Sequence, residues 1–242
     1  MADPIELLNA AKAHQGLSHQ IAAWRQLQQR LSANDPGALK EFAELFRAAP
    51  GLKPEASPSP GMATADGSVL LKVPYEFQND NASGTGYREC FSSSCAMVAR
   101  FYNKVRNDDD YNAIRGRFGD STSSSAQLRA LGSLGLQAQF RQNGSAETLE
   151  RILREGRPVP VGWLHKGPID RPAGGGHWSV VIGCDARAFI HNDPNGEADL
   201  VNGGYVATNG TAGRGVAYSR QNWLRRWEAD GRGSGWFLDV RG

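Results

Sequence analysis

Residues 87–102, YRECFSSSCAMVARFY, form the segment from which the rest of the chain can be interpreted. The preceding residues 79–86, NDNASGTG, are polar and contain two glycines, which is typical of a loop. Beyond them, apolar residues recur at helical spacing, at Phe91, Cys95, Val98 and Tyr102. This pattern predicts a helix over 91–102 that packs one face against a core and leaves its first turn outside it.

The two cysteines of this segment are predicted to differ in role. Cys95 lies on the apolar stripe, where a free cysteine behaves as a small core residue. Cys90 precedes the helix, where unpaired backbone N–H groups and the positive end of the helix dipole favour thiolate over thiol. Cys90 is therefore a candidate nucleophile, which needs a base and an orienting group from elsewhere in the chain.

Composition excludes several classes of function. The 242 residues contain 27 lysines and arginines against 25 aspartates and glutamates, a balance that gives no reason to expect nucleic acid as a partner. No apolar run reaches a membrane-spanning length and the first residues lack a signal peptide, so we expect no membrane insertion and synthesis in the cytoplasm. The three cysteines are not paired in spacing, so neither a disulfide scaffold nor a zinc site is predicted. We predict no cofactor and no metal, and the oligomeric state stays open.

The chain divides into three parts. Residues 1–49 are predicted to form a module of three short helices, because Asp3–Pro4 and Asp35–Pro36 both place a capping carboxylate before a proline. Residues 50–66 are rich in proline and serine and predict a semi-extended linker. Residues 67–242 form the main domain.

The main domain has a helical half followed by a β half. After a short extended run over 70–77, which Pro74 limits to an edge or irregular strand, further helices are predicted at 107–117, 125–134 and 145–155. Strands follow at 159–164, 177–184, 188–192, 204–208 and 236–240, with one helix at 221–227. Helices first and mostly consecutive strands second predict an α+β fold.

Three histidines in or beside the predicted strands could supply the base: His165, His177 and His191. His177 follows three glycines at 174–176, where backbone can approach closely. His191 shares a strand face with Asp193, because side chains alternate along a strand. Spacing alone leaves the choice among the three open.

Four motifs between residues 70 and 195 together point to a known family. They are VPYEFQNDN at 73–81, Cys90 with Ala-Met at 96–97, GHWSVVIG at 176–183 and NDP at 192–194. In this order they resemble the papain-like cysteine peptidases related to double-glycine leader peptidases. The resemblance implies a papain-like fold, a helical half plus an antiparallel β half. It also implies that Cys90 is the nucleophile, His177 the base, Asp193 the orienting acid and Gln78 an oxyanion-hole donor.

One feature departs from the family pattern. Family members commonly follow the cysteine with glycine-proline or asparagine-valine, whereas this chain has Phe91–Ser92. The neighbouring pocket is therefore expected to differ. Four aromatic residues, Trp163, Trp178, Tyr205 and Trp236, are candidates to line a cleft, although alternation along the strand puts Trp178 on the face opposite His177 and favours the core for it. Residues 203–204 and 210–215 are predicted as mobile glycine-rich rims.

The first 49 residues suggest the substrate. Segment 17–47 resembles a small helical module attached to cell-wall hydrolases of cyanobacteria and their phages, although a plain bundle packed on the enzyme explains the same pattern. Module, linker and cysteine hydrolase together resemble a phage endolysin. We expect a peptidoglycan-degrading endolysin that cuts the peptide stem as an endopeptidase or amidase, made in the host cytoplasm and released to the wall through a separate pore. The alternatives are a protein- or leader-peptide-directed cysteine protease and an inactive papain-like structural or binding component.

Overall fold

The computed structural model describes residues 68–242. The predicted helical module at 1–49 and the linker at 50–66 lie outside the described residues. The helices of the described part are α1 Cys90–Phe101, α2 Asp108–Arg115, α3 Ser124–Ser133, α4 Ala146–Arg154 and α5 Arg220–Trp227. Over this part of the chain, no helix combines the length and the apolar character needed to cross a bilayer.

The strands form an antiparallel sheet and a separate ribbon. They are β1 Val69–Leu70, β2 Gln137–Gly144, β3 Val159–Trp163, β4 His177–Cys184, β5 Ala188–Asn192, β6 Glu197–Ala198, β7 Tyr205–Ala207, β8 Val216–Ser219 and β9 Gly235–Arg241. The sheet order is β2-β9-β3-β4-β5-β8, with β1 also paired to β4, and β6 pairs with β7 in the ribbon. The predicted α+β class is confirmed.

Helix α1 is enclosed on all sides. It begins at Cys90, as predicted, but every residue from Phe91 to Ala99 is buried. The expectation of a one-sided stripe with an exposed first turn is therefore wrong. The cause is tertiary packing, since α1 contacts α2 and α3 on one side and β3 and β4 on the other. Cys90 alone in its first turn keeps partial exposure.

Buried serines explain why the sequence pattern predicts a less buried helix than the structure shows. Ser92 Oγ accepts hydrogen bonds from Arg115 Nε at 3.0 Å and from Gln127 Nε2 at 2.9 Å. Ser93 Oγ donates to the Asp108 carboxylate at 2.9 Å. A polar side chain can be buried when such partners exist, and here α2 and α3 supply them.

Local capping signals predicted most element ends. The side chains of Asn107, Ser123, Ser145 and Ser219 each accept a backbone N–H at the start of a helix. Strands β4 and β5 have the predicted bounds. Strand β2 was not predicted, because its sequence QAQFRQNG is mostly polar, and it lies at the sheet edge with one strand neighbour. Strands β6 and β8 were not predicted either. Of the predicted extended run at 70–77, only Leu70 belongs to a strand, β1.

Side chains alternate across the sheet and build two cores. One face carries Val161 and Val181 against α4 and α5, and the other carries Val180 and Ile182 against α1, α2 and α3. Burial of each large apolar side chain stabilises the fold by roughly 1.5–3 kcal/mol. The same alternation places His177 and Trp178 on opposite faces, as predicted, with Trp178 in the core of α1.

Arg226 of α5 anchors two loops next to the end of β3. Arg226 is fully buried, and its guanidinium donates to four backbone carbonyls. The acceptors are Leu200 O at 2.9 Å, Leu164 O at 3.1 Å, Lys166 O at 3.1 Å and Gly167 O at 2.8 Å. The guanidinium thus satisfies buried carbonyls of both loops, of which Lys166 O also accepts the Ala173 N–H at 2.7 Å.

Replacement of this anchor should destabilise the protein. We expect Arg226→Met to lower the free energy of unfolding by about 2–4 kcal/mol, because several buried carbonyls lose a charged donor. Chemical denaturation measures the change. Arg225→Met is the matched control, since Arg225 is exposed and its loss should matter by less than about 0.5 kcal/mol. Equal stability of the two variants would contradict the anchoring role.

Candidate active site

The fold brings three of the predicted residues together in one row. Cys90 opens α1, His177 opens β4, and Asp193 follows directly after β5, the antiparallel neighbour of β4. His177 Nε2 lies 2.8 Å from Asp193 Oδ1. The Cys90 side chain lies close enough to His177 to help raise the pKa of this histidine, and Nδ1 is the ring nitrogen that Asp193 leaves free. The row is therefore thiol, imidazole and carboxylate.

Asp193 is held from several directions. It is fully buried, its Oδ2 accepts from Tyr218 Oη at 3.0 Å, and its Oδ1 accepts from the Asn195 N–H at 3.0 Å. Its backbone carbonyl accepts from Tyr75 Oη at 3.0 Å. Burial, and then the charge of Asp193, raise the pKa of both tyrosines, so they stay protonated as donors. Sequence reasoning missed Tyr75 and Tyr218, and the second lies on the unpredicted strand β8.

Gly213 lies directly against Asp193. The Asp193 N–H donates to Gly213 O at 2.8 Å, and a Cβ added to Gly213 would come within 1.9 Å of Asp193 O. Gly213 is buried. The expectation that residues 210–215 form a mobile rim is therefore wrong at this position, where the glycine permits close contact between two backbones.

Charge explains how His177 can act with Cys90. Burial alone lowers the pKa of His177, but the charge of Asp193, the hydrogen bond to it and the nearby Cys90 outweigh burial and raise this pKa to about 10. At neutral pH the imidazole is therefore protonated. An imidazolium beside Cys90 stabilises a thiolate, which is the reactive form of cysteine.

The other two histidines do not take this position. Burial, and then the positive charge of His177, lower the pKa of His165 to about 4 and that of His191 to about 3. His191 lies in the core, with Nδ1 2.9 Å from Ser179 Oγ. His165 packs against His177, with 5.4 Å between ring centroids. Of the three candidates, His177 is the one that contacts both a thiol and a carboxylate.

Gln78 lies next to this row. Its side chain is buried, its Nε2 donates to Gly86 O at 2.9 Å, and its backbone N–H donates to Pro194 O at 2.9 Å. Gly86 precedes Cys90 by four residues, and Pro194 follows Asp193. Gln78 makes no hydrogen bond to Cys90 in the described part of the chain. Its amide has a second N–H hydrogen that Gly86 does not use.

A cleft of about 690 Å³ opens beside Cys90. Its aromatic lining includes Phe91, Phe140, Trp163, Trp178 and Trp236. Three of the four predicted aromatic residues thus line the cleft, whereas the fourth, Tyr205, packs edge-on against His177 at 5.7 Å between centroids. Phe91 stacks on Trp178 with 3.6 Å between centroids, so the residue that departs from the family pattern forms part of the cleft wall. No group of three or more metal-ligating side chains occurs within residues 68–242.

The raised pKa of His177 gives a test by titration. We expect NMR of the ring protons to show His177 still protonated at pH 8 in the wild type. In Asp193→Asn the pKa of His177 should fall, because the negative charge that offsets the effect of burial is lost. Since this pKa lies above its ordinary value of 6.5, the linked stabilisation is complete below about pH 6.5 and is lost as pH rises through about 10. Asp185→Asn, an exposed carboxylate at the far end of β4, serves as control. An unchanged titration in Asp193→Asn would contradict the pairing.

Comparison with known proteins identifies the family of this chain. The model of the family described as papain-like cysteine protease AvrRpt2 matches residues 68–201, more than half of the 242-residue chain. No curated protein matches the sequence. Among solved structures, a putative C39-like peptidase from Bacillus anthracis is 17% identical, with 73% of this chain and 99% of that chain covered and a TM-score of 0.50.

Two further solved structures are less similar in fold. One is a double-glycine motif protease from an AMS/PCAT transporter in complex with the leader peptide, 21% identical over 71% of this chain and 92% of that chain, with a TM-score of 0.44. The other is the peptidase domain of Streptococcus ComA, 16% identical over 64% and 91% of the two chains, with a TM-score of 0.43. The family match confirms the predicted resemblance and the expected hydrolase. The chain belongs to the papain-like cysteine proteases described as AvrRpt2 and is a cysteine peptidase.

Proposed function

We propose that Cys90, His177, Asp193 and Gln78 carry out the peptidase reaction. The Cys90 thiolate attacks the carbonyl carbon of an amide, and the resulting oxyanion accepts hydrogen bonds from the Cys90 backbone N–H and the Gln78 amide. His177 gives its proton to the leaving amine while Asp193 holds the ring by Nε2. Neutral His177 then deprotonates a water molecule, which hydrolyses the thioester and restores the thiolate–imidazolium pair. The hydrogen bond between His177 and Asp193, with Cys90 beside the imidazole, supports this assignment.

We further propose that the amide belongs to the peptide stem of peptidoglycan, as expected of an endolysin acting at the cell wall. The observation that carries this proposal is the composition of the cleft, where aromatic walls accompany the exposed carboxylate of Asp230. Asp230 has no hydrogen bond or ion pair with any residue of the described part. Stem peptides contain a diamino acid, whose alkyl chain fits aromatic walls and whose charged amine fits a carboxylate. The resemblance of residues 17–47 to a wall-hydrolase module points the same way.

A second candidate is cleavage of proteins or leader peptides. The family description names a cysteine protease, which favours a polypeptide as substrate. The same cleft would take a lysine side chain of a polypeptide. The fold does not choose between the two substrates, because one fold supports many specificities.

The substrate can be settled with purified protein. We expect the wild type to clear a peptidoglycan suspension and mass spectrometry to find new amino termini in the stem, with intact casein. An amidase would instead cleave the amide bond between the sugar and the stem peptide. Cleavage of casein or of a double-glycine leader peptide with intact peptidoglycan would overturn the wall proposal in favour of the second candidate.

Variants of the same preparation test the catalytic roles. Cys90→Ala should abolish cleavage, and Gln78→Ala should lower kcat by about two to three orders of magnitude, because one oxyanion donor is lost. Turnover of whichever substrate the wild type cleaves measures both. Wild-type turnover by Cys90→Ala would show that another residue is the nucleophile.

Asp230 gives a prediction about specificity. Asp230→Asn should raise KM by roughly 2–5-fold for stems or peptides with a free side-chain amine, since exposed charge pairs contribute up to about 1 kcal/mol. KM for the same substrates with an acetylated amine should not change. Asp170→Asn, also exposed but outside the cleft, is the control. An equal KM for both substrate forms in the wild type would count against a role of Asp230 in amine recognition.

A further inference from the structure

A buried carboxylate lies one residue before the proposed nucleophile. Glu89 is 2% exposed and forms the N-cap position of α1, yet its side chain does not cap the helix. A buried carboxylate is unfavourable unless hydrogen bonds and an opposite charge compensate it. Its contacts therefore indicate what this position requires.

Glu89 binds the loop that leads to Cys90. Its Oε2 accepts from Asn81 Nδ2 at 2.6 Å and from Ser83 Oγ at 2.9 Å. Its Oε1 accepts from Thr85 Oγ1 at 3.0 Å. Three side chains from residues 81–85 thus converge on one carboxylate, which fixes the conformation of a loop that has no regular secondary structure of its own.

Helix α2 supplies the opposite charge. Arg115 Nη2 lies 3.7 Å from Glu89 Oε1, and the Arg115 side chain is 11% exposed. The same guanidinium donates to Ser92 Oγ at 3.0 Å and to Gly119 O at 2.9 Å. Arg115 therefore compensates the charge beside Cys90 and connects the loop, α1 and α2.

The loop held by Glu89 joins the two proposed oxyanion donors. Gly86 O accepts both the Gln78 Nε2 hydrogen bond and the Glu89 backbone N–H, each at 2.9 Å. A Cβ on Gly86 would come within 2.0 Å of Gln78 O, so the two turns of this loop pack directly together. The position of the Gln78 amide relative to the Cys90 N–H depends on this loop.

We propose that the Glu89 carboxylate is a positioning residue for the oxyanion hole, which holds residues 78–89 so that the Gln78 amide and the Cys90 backbone N–H converge on one oxygen. This inference rests on the proposed function of Cys90 and Gln78. Glu89 acts through the loop and does not touch the substrate, as it lies outside the residues that line the cleft.

The test separates the oxyanion hole from the nucleophile. Glu89→Gln preserves size, but its NH2 group would face Asn81 Nδ2 or Arg115, which are donors as well. We expect kcat to fall by about 10–100-fold on the substrate that the wild type cleaves, with KM within about 2-fold. Alkylation of Cys90 by iodoacetamide, followed by mass spectrometry, should keep its wild-type rate because that reaction develops no oxyanion.

Two further variants keep the test decisive. Glu150→Gln removes a carboxylate paired with Arg154 and Arg220 away from the site, and it should leave kcat unchanged. Thr85 is an exposed loop residue, and Thr85→Val removes one hydrogen bond to Glu89. We expect this variant to fold and its kcat to fall by roughly 2–10-fold. It decides the question if Glu89→Gln does not fold.

The outcomes distinguish this inference from the proposed function. Wild-type kcat in Glu89→Gln, or in Thr85→Val where the first variant does not fold, would overturn the positioning role. A parallel fall of kcat and of the alkylation rate would overturn it too, because the substitution would then have changed the reactivity of the thiolate or the fold. Failure of the proposed function would appear separately, as equal turnover in the wild type and Cys90→Ala.

Discussion

The hydrogen bond between buried Asp193 and His177 is the interaction on which the site depends. A buried carboxylate needs partners for its remaining lone pairs, and the sheet and its loops supply them through Tyr218, the Asn195 N–H and the close approach of Gly213. In return, Asp193 raises the pKa of His177 against the effect of burial. In the proposed mechanism, this imidazolium supplies the proton that the leaving amine needs.

Helix α1 holds the Cys90 thiol in place. Because its residues from Phe91 to Ala99 are buried, the helix cannot shift without disturbing both the helical half and the sheet. Cys90 keeps partial exposure at its end, next to the cleft. Phe91 both begins this buried stretch and stacks on Trp178 in the cleft wall, so nucleophile placement and substrate contact share one turn.

The cysteine peptidase chemistry follows from the family, whereas the substrate is a proposal drawn from the cleft. A thiol–imidazole–carboxylate row serves any amide, so it carries no information on the molecule that is cut. We propose that specificity lies in the walls beside Cys90, where aromatic rings and the carboxylate of Asp230 meet. The role proposed for the loop of residues 78–89 is of a different kind, because the loop would set the geometry around the oxyanion without contact to the side chain of the substrate.

Local sequence determined the helix starts, strands β4 and β5, and the position of Cys90 at a helix start, because capping, alternation and helical spacing act over a few residues. The family motifs named Gln78, Cys90, His177 and Asp193. Spacing left the choice among His165, His177 and His191 open, and the family motif named His177. The tertiary structure supplies the physical reason, since His177 pairs with the Asp193 carboxylate and lies beside Cys90. The polar strand β2, the tyrosines around Asp193 and the buried Glu89 were invisible in the sequence, because a polar residue becomes part of an interior only when distant segments provide its partners.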